Sequence, residues 1–81
     1  MTAASWASAL GLDEPQLAHL GKLAQADAKR GATEDAETQL DLLLMLDPSR
    51  RETWTQYLEF HRRQGDTDAV EAMEEVMSWF A

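Results

Sequence analysis

Residues 46–69 read LDPSRRETWTQYLEFHRRQGDTDA, and this stretch decides the fold. Leu46-Asp47-Pro48 ends one helix, because proline disfavours the helical conformation in the residue before it. Ser49-Arg50-Arg51-Glu52 has the spacing of a capping box, so a new helix starts there. Trp54, Tyr57, Leu58 and His61 fall three and four apart, the spacing of one helix face. Gln64-Gly65 stops that helix. Asp66 or Thr67 caps the next, which carries Ala69, Val70, Met73, Val76, Met77 and Phe80. The turn between them is short, which favours antiparallel neighbours.

Working outward from there, the preceding residues repeat the design. Thr33 caps a helix with Glu34, Asp35 and Glu37 in or near its first turn. Ala36, Leu40, Leu43 and Leu44 run along it, with Leu42 and Leu46 alongside. Before it, Asp13 caps a helix with Pro15 in its first turn and Gln16 three residues after the cap. That helix runs to about Arg30, where Lys29-Arg30-Gly31 combines cations for the dipole with a glycine for the turn. Residues 2–10 form a short helix-like stretch, with Trp6 and Leu10 one turn apart and Gly11 after it. Isoleucine is absent, valine is scarce, and no stretch alternates apolar with polar residues as a strand would. The expected fold class is all-α: two stacked helix hairpins and a short N-terminal helix. The divisions are 2–11, 14–48 and 49–81.

Composition narrows the function. The chain has 81 residues, 15 acidic and 7 basic side chains and a net charge of −8, with no cysteine. This length gives one domain. A disulfide framework, a thiolate metal site and a cysteine nucleophile are excluded. The negative charge argues against nucleic acid or an anionic membrane as a partner. The longest apolar run, Leu42 to Leu46, is far short of a membrane span. No cation precedes the mildly apolar N-terminus, unlike a signal peptide. The expectation is a soluble, cytoplasmic domain.

Self-comparison finds a period of 34 residues. Leu20 and Trp54, Leu23 and Tyr57, Ala24 and Leu58, and Gly31 and Gly65 are each 34 apart. Each hairpin is too small to bury its apolar stripe alone, and stacking a second closes the core. With Trp54-x-x-Tyr57, Gly65-Asp66 and Ala69 in the second unit, and Leu20, Leu23, Ala24, Gly31, Ala36, Leu40 and Pro48 in the first, the chain resembles the tetratricopeptide repeat family. The resemblance covers residues from about 17 to the C-terminus. Leu58 departs from it where a small residue is usual, as do Asp27 and His61 where tyrosine is common. The second unit is also one residue short between Gly65 and Ala69. Trp54-x-x-Tyr57-Leu58-x-Phe60 also resembles the half-repeat of RNA-processing scaffolds, but only in the second unit.

No catalytic motif is present: no phosphate loop, nucleophile elbow or HExxH pair. His19 and His61 sit on different helices and read as a surface and an interhelix residue. Asp66-x-Asp68 lacks the glycine and terminal glutamate of a calcium loop. Glu34, Asp35, Glu37 and Asp41 read as a solvated helix face. No enzyme activity, cofactor or metal is expected.

The resemblance implies that the first helix of each pair lines a peptide-binding groove. Its candidates here are Lys22, Gln25 and Lys29, then Gln56, Glu59, Arg62 and Arg63. A groove with these cations and amides favours an acidic partner. The same cations also complement helix C-termini, and the residues alone leave the two readings open. Gly21 stands at one basic position of the family's carboxylate clamp. The last helix carries a wide apolar stripe, Val70, Met73, Met77, Trp79 and Phe80. Repeat arrays usually finish on a polar helix. The N-terminal segment with Trp6 and Leu10, a second copy of the chain, or another protein are the three candidates to cover it, and an intermolecular contact is the favoured one. The expected function is a non-catalytic adaptor, co-chaperone or assembly factor that binds a partner peptide or helix. The alternatives are an RNA-processing scaffold arm and a structural homo-oligomer.

Overall fold

Glycine and proline cut the chain where their backbone chemistry requires. The computed structural model describes residues 5–79. Among these, five helices form and no strand: α1 (Trp6–Ala9), α2 (Glu14–Lys29), α3 (Thr33–Leu46), α4 (Arg51–Gln64) and α5 (Thr67–Ser78). Gly31 and Gly65 follow α2 and α4 at φ of +86° and +72°. Any side chain in that left-handed region costs about 1 kcal/mol or more. Of the helix expected over 2–10, the described part is the single turn α1; residues 2–4 and Phe80 lie outside the described residues.

The caps divide into those set locally and those overridden from a distance. Asp13 and Gln16 form the expected reciprocal box: the Asp13 amide donates to Gln16 Oε1 at 2.9 Å, and the Gln16 amide to Asp13 Oδ1 at 3.4 Å. Asp66 accepts from the Ala69 amide at 3.2 Å and caps α5. Two expected caps are corrected. Ala32, not Thr33, is the N-cap of α3, and it offers no side-chain oxygen. Ser49 does not cap α4 either. Its amide and hydroxyl donate to Asp47 Oδ1 at 3.1 and 2.6 Å, closing the turn on itself, and Arg50 takes the N-cap place.

Arg50 is the reason the box fails. Its side chain is buried, and its guanidinium straddles both oxygens of Glu14, with Nη2 2.7 Å from Oε1 and Nε 3.1 Å from each oxygen. Nη1 donates to the fully buried Thr53 at 2.9 Å, and Nη2 to Glu52 at 3.0 Å. Glu52 is therefore held by a side chain and not by the backbone. The fork pins the start of α4 to the start of α2, so the two helices run side by side in one direction.

The core follows from the stripes. Leu17 and Ala24 of α2, Leu40, Leu43 and Leu46 of α3, and Tyr57 and Phe60 of α4 pack in one cluster, joined by Ala7 of α1. Helix α4 touches α2, α3 and α5, whereas among the described residues α5 packs on α4 alone. The α4–α5 interface is smaller than that of α2 and α3. Leu58 takes the place that Ala24 takes 34 residues earlier, and both are buried. Leu20 and Trp54 are both half-buried, but Leu23 and Tyr57 differ. Tyr57 lies against the preceding hairpin and donates to Asp41 Oδ1 at 2.6 Å, while Leu23 remains 42% exposed. Among the described residues the element before α2 is the single turn α1, and it packs on α3. Trp6 and Leu10 are also exposed, so α1 enters the core through Ala7, and it packs on α3, away from α5.

Two outcomes follow from these contacts. Tyr57→Phe removes one hydrogen bond to an exposed carboxylate, and chemical denaturation should show a loss of about 1 kcal/mol. The hydrogen bond from Arg50 holds the Glu14 carboxyl below its ordinary value. Its contribution is complete above the ordinary glutamate range and is lost as pH falls through the lowered folded value. The stability advantage over Glu14→Gln should be present at neutral pH and vanish in acid; a pH-independent difference would contradict the linkage.

Candidate functional site

Because α2 and α4 lie side by side with α3 behind them, a cleft opens between the first two. Its volume is about 310 Å³, enough for one or two side chains of a peptide. The floor is apolar: Ala24, Leu40 and Phe60, each buried. Ala28, Gln25 and Lys29 line it from α2, and Gln56, Glu59 and Arg63 from α4. The cleft thus brings together five of the seven residues expected to face the groove: Gln25, Lys29, Gln56, Glu59 and Arg63. The other two lie elsewhere. Lys22 is exposed but does not line the cleft, and Arg62 turns toward α5, with Nη2 3.5 Å from Glu74 and Nη1 3.8 Å from Glu59.

Lys29 and Arg63 sit in the last turns of α2 and α4 and form no ion pair among the described residues. They complement the helix dipoles there, and they also stand at the lip of the cleft. Both readings of these cations are therefore compatible with one geometry. Asp27, where the resemblance expects an aromatic, binds Arg30 at 2.7 Å and receives the Gln39 amide at 2.7 Å. It ties α2 to α3 by polar contacts. His61 stacks on Tyr57 with ring centroids 4.6 Å apart and lies 4.0 Å from Asp66. His19 is exposed. Among the described residues, no group of three histidines and carboxylates is placed to hold a metal.

Sequence reasoning missed the floor of the cleft. Leu40 reads as part of an apolar stripe and Phe60 as part of the half-repeat motif, and nothing in their spacing says that one edge stays open. Ala24 and Ala28 carried the available signal, since small residues four apart leave a channel along a helix. It places Gly21 at a clamp position but misses its packing role: the residue is buried within α2. A Cβ there would stand 2.6 Å from Gln56 Oε1, so the glycine makes room for the Gln56 amide between the helices. That oxygen is buried without a hydrogen-bond partner among the described residues.

On the apolar end, α5 has no fully buried residue. Val70, Met73 and Met77 are half-buried, Met73 against the core, and Trp79 is 71% exposed.

Gly21→Ala tests the glutamine contact. Alanine gains up to about 1 kcal/mol of helix propensity, and Gln56 can swing its unpaired oxygen out into the cleft. Calorimetry should show equal or higher stability with Gln56 displaced; a loss above about 1 kcal/mol would mean that the amide is locked in place.

In comparison with known proteins, no family model matches the chain, and neither a curated protein nor a solved structure matches it.

Proposed function

We propose that this chain is a non-catalytic protein-interaction module of tetratricopeptide-like design, an adaptor or assembly factor whose α2–α4 cleft takes an extended acidic segment of a partner. The observation that carries the reading is the pair Lys29 and Arg63. Two cations without ion-pair partners among the described residues flank an apolar-floored cleft on a chain of net charge −8. An incoming carboxylate would find charge-assisted donors there, with amides from Gln25 and Gln56 beside them. A neighbouring apolar side chain would rest on Phe60 and Leu40. Glu59 on the same wall selects against a partner acidic throughout. The 34-residue spacing of Gly31 and Gly65, and the packing of α4 on both helices of the first hairpin, agree with the family's design.

The last helix offers a second surface. Its half-buried Val70 and Met77 and its exposed Trp79 suit stacking by another polypeptide, as methionine and tryptophan are frequent at such contacts.

Binding of labelled extended peptides, each with an acidic residue beside an apolar one, tests the cleft. Lys29→Glu together with Arg63→Glu should weaken binding by about tenfold or more, while Lys22→Glu should change it little. Equal affinity in the double variant would remove the cleft from the function.

A further inference from the structure

The cations of the hairpin stack are confined to one side, whereas acids occur on both. Every lysine and arginine lies on α2, on α4 or at their caps. Helix α3 carries Glu34, Asp35, Glu37 and Asp41 and no cation; α5 likewise carries only acids. Helix α1 packs against α3 and has no charged residue at all. Exposed apolar side chains collect on these two touching helices. Trp6 is 68% exposed, Leu10 65%, Met45 66% and Leu42 44%. Leu42 and Met45 are three apart, hence on one face of α3, and Trp6 and Leu10 are four apart on α1 and its cap. Trp6 and Leu10 stay outside the core, because Ala7 is the residue through which α1 enters it.

We propose that this α1–α3 surface docks a basic amphipathic helix of another protein. An apolar stripe of three- and four-residue spacing would lie over Leu42, Met45, Trp6 and Leu10. Lysines or arginines on its flanks would meet Glu34, Asp35 and Glu37, which have no ion-pair partner among the described residues. Asp41 is already engaged by Tyr57. The charge pattern decides among occupants. A second copy on a two-fold axis would place two acidic α3 helices against each other. An anionic membrane is repelled by the same carboxylates. A basic helix satisfies both the apolar stripe and the acids. The surface is separate from the cleft, whose flanks are α2 and α4, the two helices that carry cations. The module then has two docking faces of opposite preference.

The probe is a Leu/Lys amphipathic peptide of about 18 residues, long enough to span α3, beside a scrambled peptide of the same composition. Amide shifts in the full chain should map to α1 and the second half of α3. The scrambled peptide should bind at least about tenfold more weakly. Leu42→Gln with Met45→Gln should weaken the ordered peptide to the same degree with unchanged helix content, and Trp6→Gln should do so separately. Equal affinity for both peptides, unchanged affinity in both variants, or shifts confined to α2, α4 or α5 would overturn the proposal. So would a dimer in sedimentation that Leu42→Gln with Met45→Gln converts to a monomer, since the surface would then belong to a second copy.

Discussion

Helix α4 buries apolar area on three sides, and the rest of the molecule depends on that. Tyr57 and Phe60 join the leucines of α3 in one cluster, Leu58 is buried, and Thr53 is closed in beneath Arg50. Burying a leucine or phenylalanine contributes about 1.5–3 kcal/mol, and a chain of this size has few such residues to use. Without α4, the α2–α3 hairpin would expose its leucines, and α5 would have no neighbour. The Arg50–Glu14 fork adds direction to this association. It sets which end of α4 lies beside which end of α2, and so where the cleft opens.

The position of α4 also explains the division of charge. The helices α2 and α4 that line the cleft carry the cations beside four acids, and α3 and α5 carry acids and no cation. An acidic protein can in this way present a locally basic recess, because the Debye length near physiological salt is about 8 Å, shorter than the 15 Å least dimension of the fold.

Much of the fold was legible because it is encoded locally. The Asp13–Gln16 box, the stop at Asp47-Pro48 and the glycines at 31 and 65 each act within a few residues. The failures came from contacts across the chain. Ser49 has the sequence of a cap, but Arg50 is drawn to a carboxylate 36 residues away and displaces it. Leu23 has the periodicity of a core residue and stays exposed, since the described turn α1 packs on α3. Within the cleft, residue type was readable and direction was not. Arg62 and Arg63 are neighbours in sequence, yet about 100° of helical rotation sends one to Glu74 and the other to the cleft. In sequence, the segment with Trp6 and Leu10 is one of three candidates to cover the last helix, but α1 packs on α3 with Ala7 facing the leucines.

The attachment of α5 through a single neighbour has a kinetic consequence. A helix with no fully enclosed side chain, docked on one side only, can detach and re-dock while the leucine cluster stays intact. Its amides would then exchange with solvent deuterium ahead of those in α2 and α3, and the population with α5 detached would set how fast a competing helix could invade its place.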